Sequence, residues 1–146
     1  MVKNYIHLIF VTKYRAPFIQ PPFEEEIYAY LCSLCKDLTC PAISIGGDSD
    51  HVHILCMLSQ KIPLMKLVEY VKSKSSKWIK TKDASLQDFY WQDGYGAFSV
   101  NPSEIEKVIS YISNQKIHHQ KISFQGEYIA FLKKYDVKYN ERDLWS

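Results

Sequence analysis

The sequence predicts an α+β fold in which an antiparallel sheet carries helices packed mainly on one face. Two observations lead to this class. Short runs of β-branched and aromatic residues alternate with longer amphipathic stretches. Their order is strand, helix, two strands, helix, a strand pair and further helices, which is typical of a ferredoxin-like or RNA-recognition-like plan. A chain of 146 residues, 47% of them hydrophobic, fits one domain over residues 1–146 with a single core.

The chain begins with a predicted strand and helix. Residues 4–13 are rich in β-branched and aromatic side chains, and the run ends shortly before Pro17. From Phe23 onward, apolar residues recur at helical spacing until Pro41 stops the pattern. These two segments supply the first strand and the first helix of the fold.

A β-hairpin is predicted next. Residues 42–46 and 51–58 are two strand-like runs, and the four residues 47–50 between them, Gly-Asp-Ser-Asp, have the composition of a hairpin loop. The second strand of this hairpin therefore begins at His51.

A helix and a second hairpin follow. Pro63 lies near the start of an amphipathic helix whose apolar stripe runs to Ile79 and whose outer surface is basic. Two aromatic segments, residues 89–92 and 95–100, then flank Asp93-Gly94, which predicts a second hairpin.

The last predicted elements are helical. Asn101 is expected to cap a helix with Pro102 at its first position and Glu104 in a capping box, and this helix should run through Gln115 to about residue 121. After Ser123, a final amphipathic helix is expected, followed by a tail that mixes charged and aromatic residues.

Composition restricts the cellular setting more than the function. The apolar runs are far shorter than the roughly 20 residues that cross a bilayer, and the first residues lack a signal-peptide pattern. We therefore expect a cytoplasmic protein that does not bind membranes. The formal charge of +2 is too small to identify a nucleic-acid partner by itself.

The four cysteines are expected to be reduced and mostly buried, since they lie in or beside apolar segments. Cys32 and Cys35 form a C-x-x-C pair. A zinc or redox site requires a second ligand pair or a thioredoxin-like context, and neither follows in the sequence, which favours packing in the core.

Two histidines are the first candidates for chemistry. In a strand, His51 and His53 lie on the same face because side chains alternate with period 2, while Val52 points to the other face. Two adjacent imidazoles can bind one divalent metal ion. The alternative is that both are polar residues on a solvated sheet face.

A tyrosine on the capped helix is the second candidate. At about 100° per residue, Tyr111 falls on the flank of the buried stripe, and Gln115 and His118 follow on the same edge. The alternative is an ordinary surface tyrosine with its hydroxyl in water. That alternative weakens because possible metal ligands share its helix edge.

Together these motifs resemble the single-tyrosine HUH transposases of small insertion sequences, which are related to the REP-associated tyrosine transposases. His51-Val52-His53 is similar to the HUH motif, and Tyr111-x-x-x-Gln115 is similar to the tyrosine helix of that family. The resemblance extends over nearly the whole chain. Its segments are Asp50-His51-Val52-His53, Ser75-Ser76-Lys77-Trp78-Ile79, residues 91–100, Tyr111-Ile112-Ser113-Asn114-Gln115, Phe124-Gln125-Gly126-Glu127-Tyr128 and Phe131-Leu132.

The resemblance implies an HUH endonuclease fold and a complete active site. His51, His53 and Gln115 would bind Mg²⁺ or Mn²⁺, and Tyr111 would be the nucleophile. The implied reaction cuts and rejoins single-stranded DNA at insertion-sequence ends through a 5′-phosphotyrosine intermediate. The implied partners are DNA with hairpin ends and a second copy of the chain, in a homodimer whose active sites are completed in trans.

Further residues are proposed from the pattern alone. His118 and His119 are possible proton partners for Tyr111, although histidines after a helix are commonly surface residues. The pattern of the basic helix row fits two interpretations, a phosphate-tracking surface with stacking aromatics nearby and a solvated helix face. The row consists of Lys72, Lys74, Lys77 and Lys80.

Two other functions compete with a transposase. The first is another HUH enzyme, either a domesticated relative that cleaves palindromic repeats but no longer moves, or a replication or conjugation nickase. The DNA flanking the gene would distinguish these from a mobile element. The second is a non-catalytic ferredoxin-like module that binds nucleic acid or a metal ion, in which Tyr111 could be replaced by Phe without loss of activity.

Overall fold

The structure, a computed structural model, describes residues 3–118 and 123–134. Within these residues, the strands form a four-stranded sheet with the order β2-β3-β1-β4, and every neighbouring pair is antiparallel. This is the strand order of a ferredoxin-like β-α-β-β-α-β unit, so the predicted α+β class is confirmed. The strands are β1 (Tyr5–Val11), β2 (Ala42–Asp48), β3 (His51–Met57) and β4 (Gly96–Val100).

Helices cover both faces of this sheet. The two longest, α1 and α2, pack on one face. Helices α3 and α5 cover the opposite face, which the prediction left open. The helices are α1 (Glu24–Asp37), α2 (Leu64–Lys80), α3 (Ile105–Ser113), α4 (Gln115–His118) and α5 (Phe124–Lys134).

The main core lies between the sheet and the pair α1 and α2. Alternate residues of β1 and β3 point into it, and apolar residues at helical spacing on α1 and α2 meet them. The fully buried members include Leu8, Phe10, Ile27, Leu31, Ile54, Leu67 and Val71.

The second face of the sheet carries the polar residues of interest. His7 of β1 and both His51 and His53 of β3 point to this side, between Ile112 of α3 and Phe124 of α5, and all of them are buried. Because β1 and β3 are covered on both faces, their sequences are nearly continuous apolar runs and do not alternate between apolar and polar residues.

The predicted second hairpin is wrong. Trp91 forms a bridge with Thr12 next to β1, whereas β4 pairs with β1 over Gly96–Val100. Phe89 and Trp91 are both buried in the main core. Their aromatic character therefore reflects core packing at the end of the sheet and not pairing with β4.

The predicted continuous helix after Asn101 is also interrupted. The Asn101 Oδ1 atom accepts a hydrogen bond from the Ser103 backbone N–H, but the residues that follow form a 3₁₀ turn, so α3 begins only at Ile105. Asn114 separates α3 from α4, which ends at His118. The predicted end at residue 121 and the predicted tail lie outside the described residues.

All four cysteines are free thiols, and Cys35, Cys40 and Cys56 are buried, in agreement with the sequence. Burial raises the pKa of Cys56 to about 12, so this thiol is protonated and unreactive at neutral pH. In the described part of the chain, no helix combines the length and apolar character that crossing a bilayer requires.

Candidate active site

Two buried histidines form the centre of the site. His51 and His53 occupy the first and third positions of β3, and both side chains are fully buried. Their ring centroids lie 5.1 Å apart. The period of the strand therefore places two imidazoles side by side on the face covered by α3 and α5.

One nitrogen of each ring is held by a polar neighbour. The Nδ1 atom of His51 lies 2.8 Å from Asp50 Oδ1, and the Nδ1 atom of His53 lies 2.8 Å from His7 Nε2. Such contacts fix the orientation and tautomer of a metal-binding histidine and leave its second nitrogen for the metal. In both residues that second nitrogen is Nε2.

His7 is suited to this supporting role because it is uncharged. Burial, together with the nearby His53, lowers the pKa of His7 to about 3. A neutral imidazole has one nitrogen without hydrogen, so His7 Nε2 can accept the hydrogen bond that His53 Nδ1–H donates.

The two Nε2 atoms face oxygen atoms from different helices. His51 Nε2 lies 2.9 Å from Oε1 of Gln115 on α4, and His53 Nε2 lies 3.1 Å from Oε1 of Glu127 on α5. Gln115 and Glu127 are both buried. Two imidazoles, an amide and a carboxylate therefore converge in one enclosed space.

This donor set fits a divalent cation. One ligand atom each from His51, His53 and Glu127 lies within 4.8 Å of the others. Ligands about 2.1 Å from one ion are separated by up to roughly 4.2 Å, so a small inward shift of the three side chains would bring them into range. Imidazole nitrogens together with carboxylate and amide oxygens are common ligands of divalent metal ions.

Tyr111 lies beside these ligands. Its ring centroid is 5.5 Å from that of His53, with the two rings nearly perpendicular, and the side chain is half-buried. Burial, and next the neighbouring Glu127 carboxylate, raises the pKa of Tyr111 above its ordinary value. The phenol is therefore protonated at neutral pH and needs a proton acceptor to become a nucleophile.

A glycine lets the tyrosine helix approach the sheet. A Cβ atom at Gly46 of β2 would lie 2.6 Å from the backbone oxygen of Ile112, so only glycine accommodates α3 at this distance. Ile112 follows Tyr111 directly in sequence. Farther along the helix edge, Gln115 Nε2 donates a hydrogen bond of 3.3 Å to the Tyr111 carbonyl oxygen.

Helix α5 covers the site from the other side. The Phe124 ring stacks on His51 with centroids 4.1 Å apart, and Phe124 and Tyr128 pack against Ile9 of β1. Glu127 lies between these two aromatic residues on the buried side of α5. Apolar packing of the helix thus holds the carboxylate at the histidines.

Four of the residues predicted from the sequence meet in this site. The structure places Tyr111, His51, His53 and Gln115 together within a single chain. A complete constellation therefore forms in cis, and completion in trans within a homodimer stays a prediction. Of the predicted proton partners, the side chain of His118 and the whole of His119 lie outside the described residues.

The sequence reasoning missed Glu127, His7 and Asp50 as members of the site. Glu127 had a recognisable signal, because an acidic residue between Phe124 and Tyr128 falls on the apolar side of a helix. His7 had a similar signal, because it is a histidine within a strongly apolar predicted strand. Asp50 was assigned to the hairpin loop and quoted in the motif beside His51, without a role of its own.

The four lysines of the predicted row differ in their surroundings in the structure. Lys72 is half-buried and its Nζ donates to the carbonyl oxygens of Gln92 and Gly94, at 2.7 Å each. Lys80 Nζ donates a 2.6 Å hydrogen bond to Ser76 Oγ. Lys74 and Lys77 are exposed on α2. A role in binding DNA stays a prediction for all four.

Comparison with known proteins identifies related sequences. Residues 1–115 match the model of a family described as "Transposase IS200 like". The chain is 25% identical over 114 residues to the transposase for insertion sequence element IS200 of Salmonella typhimurium, and equally to that of Salmonella typhi. These alignments cover 75% of this chain and 74% of each relative.

Solved structures share the fold. A Deinococcus radiodurans protein assigned as a transposase superposes with a TM-score of 0.63 at 20% identity, over 79% of this chain and 92% of that one. A REP-associated tyrosine transposase bound to a REP hairpin also gives a TM-score of 0.63, at 11% identity, over 83% of this chain and 72% of that one.

The sequence match covers most of the chain and includes His51, His53, Tyr111 and Gln115. Glu127 lies beyond the matched residues. Together with the shared fold, this match leads to one conclusion: the chain belongs to the IS200-like transposase family.

Proposed function

We propose that this transposase cuts and rejoins single-stranded DNA at the ends of an insertion sequence, with Tyr111 as the nucleophile and a divalent metal at the histidines. The observation that supports it is the position of the Tyr111 ring, 5.5 Å from the His53 ring and beside the cluster of His51, His53 and Glu127. A phenol next to a set of metal ligands is the arrangement that phosphoryl transfer to tyrosine requires.

Four side chains would hold the metal. His51 and His53 contribute Nε2 atoms, Glu127 a carboxylate oxygen and Gln115 an amide oxygen. When bound, Mg²⁺ or Mn²⁺ supplies Lewis-acid stabilisation of the negative charge on the reacting phosphate. Asp50 and His7 keep the two imidazoles in the orientation that this binding needs.

Tyr111 carries out the chemical step. Its Oη attacks the phosphorus, the bond between phosphorus and the 3′ oxygen breaks, and the bonding electron pair leaves with that oxygen. The Tyr111 proton passes to the neighbouring Glu127 carboxylate, whose proximity already raises the pKa of the phenol. Glu127 then releases this proton to solvent, the 3′ oxygen takes one up from solvent and becomes a free 3′-OH, and the 5′ phosphate stays on Tyr111.

The intermediate conserves the energy of the broken bond. Because a phosphodiester is exchanged for a phosphotyrosine ester, the 3′-OH of another strand can attack it and release Tyr111. Cutting and joining are thus the same reaction in two directions, and no nucleotide cofactor is needed.

We extend the proposal to the partner DNA and to assembly. The structural relative named above is bound to a REP hairpin, and we propose hairpin ends flanking a single-stranded cleavage site as the substrate here. Assembly as a homodimer, with exchange of the tyrosine helix, is also part of the proposal. Mixing a Tyr111→Phe chain with a His51→Ala chain tests it, since cleavage returns only if sites form in trans.

A denaturing gel tests the chemistry. The purified protein is incubated with Mg²⁺ and labelled single strands copied from the DNA flanking its gene. We expect a covalent protein–DNA band that disappears with a chelator and in Tyr111→Phe. Tyr128→Phe is the matched control, because it removes another buried phenol on the same face of the sheet.

Two results would count against the proposal. One is a covalent band that persists in Tyr111→Phe, which would assign the nucleophile elsewhere. The other is the lack of any band from either strand when metal binding at His51 and His53 has been demonstrated, which would favour a non-catalytic relative.

A further inference from the structure

Two exposed tyrosines lie next to each other at the end of the sheet where β1 stops. Tyr14 is 78% exposed and Tyr90 is 55% exposed. The Lys13 backbone N–H donates a 2.9 Å hydrogen bond to the Tyr90 carbonyl oxygen. The Lys13 ammonium lies 5.6 Å from the centre of the Tyr14 ring and 6.0 Å from that of the Tyr90 ring.

The backbone that presents Tyr14 is strained. Tyr14 has a φ of 59° and Arg15 a φ of 56°, so two consecutive residues other than glycine adopt the left-handed conformation. This conformation is costly for side chains with a Cβ atom, and such strain is concentrated at functional sites. Burial does not explain this conformation, because most of the Tyr14 residue is exposed to water.

Tyr90 is held outward by its neighbours. Phe89 and Trp91, on either side of it, are buried in the main core. The Lys80 ammonium lies 3.9 Å from the centre of the Tyr90 ring, and Ser76 Oγ fixes that ammonium by a hydrogen bond. A positive charge is thus placed against an exposed aromatic ring.

These residues are connected directly to the active site. The Thr12 backbone N–H donates a 2.9 Å hydrogen bond to the carbonyl oxygen of Asp50, and Arg15 Nε lies 3.5 Å from Asp50 Oδ2. Asp50 in turn contacts His51 Nδ1. Tyr14, between Thr12 and Arg15, is therefore close to the edge of the metal site.

We infer that Tyr14, Tyr90, Lys13 and Lys80 form a platform on which unpaired bases of the DNA strand stack on their way to His51. This inference rests on the proposed function and names the protein surface that receives the strand. Aromatic rings stack on single-stranded bases without regard to sequence, and adjacent ammonium groups attract the phosphates. The faces of paired bases are already stacked in a duplex, so the platform selects an unpaired strand.

Binding of a labelled oligonucleotide tests the inference. The probe is fluorescein-labelled oligothymidine of about 16 nucleotides, the upper site size for a small single-strand-binding domain. Fluorescence anisotropy is measured in EDTA, so that cleavage does not contribute. We expect Tyr14→Gly and Tyr90→Ala each to weaken binding about tenfold, while Tyr14→Phe and Tyr90→Phe bind as the wild type does.

Two controls separate stacking from other effects. Ile43→Ala removes an exposed apolar side chain on β2 and should leave binding unchanged. Tyr14→Gly should not lower the thermal midpoint, because glycine adopts the observed φ without strain. An abasic strand of the same length should bind wild type and variants equally, since it offers phosphates but no bases.

Each remaining outcome overturns the inference. Wild-type protein that fails to bind the oligothymidine, or variants that bind it unchanged, would show that the platform does not receive the strand. Equal weakening for the abasic strand would indicate a structural or purely electrostatic role. The assay is run in EDTA and does not depend on cleavage, so loss of the covalent band in the cleavage assay and loss of probe binding here are separate results.

Discussion

Glu127 and His53 are joined by a contact of 3.1 Å between Oε1 and Nε2, and this contact links helix α5 to strand β3. The same carboxylate lies close enough to Tyr111 to raise the pKa of its phenol. Glu127 therefore lies next to both a proposed metal ligand and the proposed nucleophile. A residue placed in this way can hold the cation with one oxygen and take the tyrosine proton with the other.

Replacing Glu127 by Gln should slow DNA cleavage strongly. The amide keeps the size of the side chain, but it has no charge for a cation and is a poor acceptor for a phenolic proton. Since loss of a positioned proton acceptor typically costs at least about a hundredfold, we expect a decrease of about 10²-fold in the single-turnover rate of covalent complex formation. Quenched-flow sampling followed by denaturing gels measures that rate.

Glu106→Gln is the matched control, because it removes an exposed carboxylate from α3. Its rate should equal that of the wild type. A Glu127→Gln variant that cleaves at the wild-type rate would remove Glu127 from the mechanism. In that case Gln115 would be the remaining oxygen ligand from the helices.

Replacing His7 by Leu should weaken metal binding although His7 is not itself a proposed metal ligand. The variant loses the acceptor for His53 Nδ1–H, which lies 2.8 Å from His7 Nε2. Loss of such a supporting contact typically lowers metal affinity about 10–100-fold. Mn²⁺ titration followed by electron paramagnetic resonance measures the affinity, and His7→Gln, which keeps an acceptor, should recover part of it. Equal affinities for wild type and His7→Leu would contradict this role.

Much of the fold is predictable because it depends on local patterns. The first hairpin follows from its turn residues, and helices α1 and α2 follow from apolar spacing that ends at Pro41 or begins near Pro63. The prediction of a second hairpin was wrong because Phe89 and Trp91 are aromatic, as strand residues often are, but are buried in the main core. A local pattern cannot distinguish these two uses of an aromatic side chain.

The site is predictable only in part, for the same reason. The period of a strand brings His51 and His53 together, and one helical turn relates Tyr111 to Gln115, so these pairs can be read from spacing. Glu127 joins them through the packing of a separate helix more than ten residues later. No spacing rule connects it to His53, and only the tertiary fold brings the two into contact.

A methyl group at position 46 should disturb the tyrosine helix. In Gly46→Ala, the added Cβ would lie 2.6 Å from the Ile112 backbone oxygen, so α3 must move away from the sheet. Overpacking of this kind costs about 1–3 kcal/mol, which corresponds to a fall in Tm of roughly 2–4 °C per kcal/mol. Cleavage should slow as well, because Tyr111 moves with Ile112. Calorimetry and the gel assay measure the two effects.

Gly94→Ala provides the comparison for that substitution. Gly94 has a φ of 83°, which strains any other residue, but a Cβ atom there meets nothing within 4 Å. Alanine at this position should lower stability by about 1 kcal/mol and leave the cleavage rate unchanged. If Gly46→Ala behaved in the same way, the close approach of α3 would be irrelevant to catalysis.

The lysine row should divide into a structural and a DNA-binding part. Lys72 donates to the carbonyl oxygens of Gln92 and Gly94, and burial lowers its pKa, so Lys72→Gln should destabilise the fold by about 1–3 kcal/mol. Lys74 and Lys77 are exposed, so their change to Gln should leave Tm unchanged. If each contacts a phosphate, each change lowers the salt dependence of DNA binding by about one unit.

Anisotropy titrations at a series of salt concentrations, together with thermal unfolding, measure both properties in the same three variants. A stable Lys72→Gln protein would show that its two carbonyl contacts contribute little. An unchanged salt slope in Lys74→Gln and Lys77→Gln would mean that this face of α2 is simply solvated, and the strand would then pass only over the side of the helix that carries Lys80. The two measurements report different properties. A lysine that only stabilises the fold changes the salt dependence of DNA binding only by changing the fraction of folded protein, and thermal unfolding measures that fraction separately.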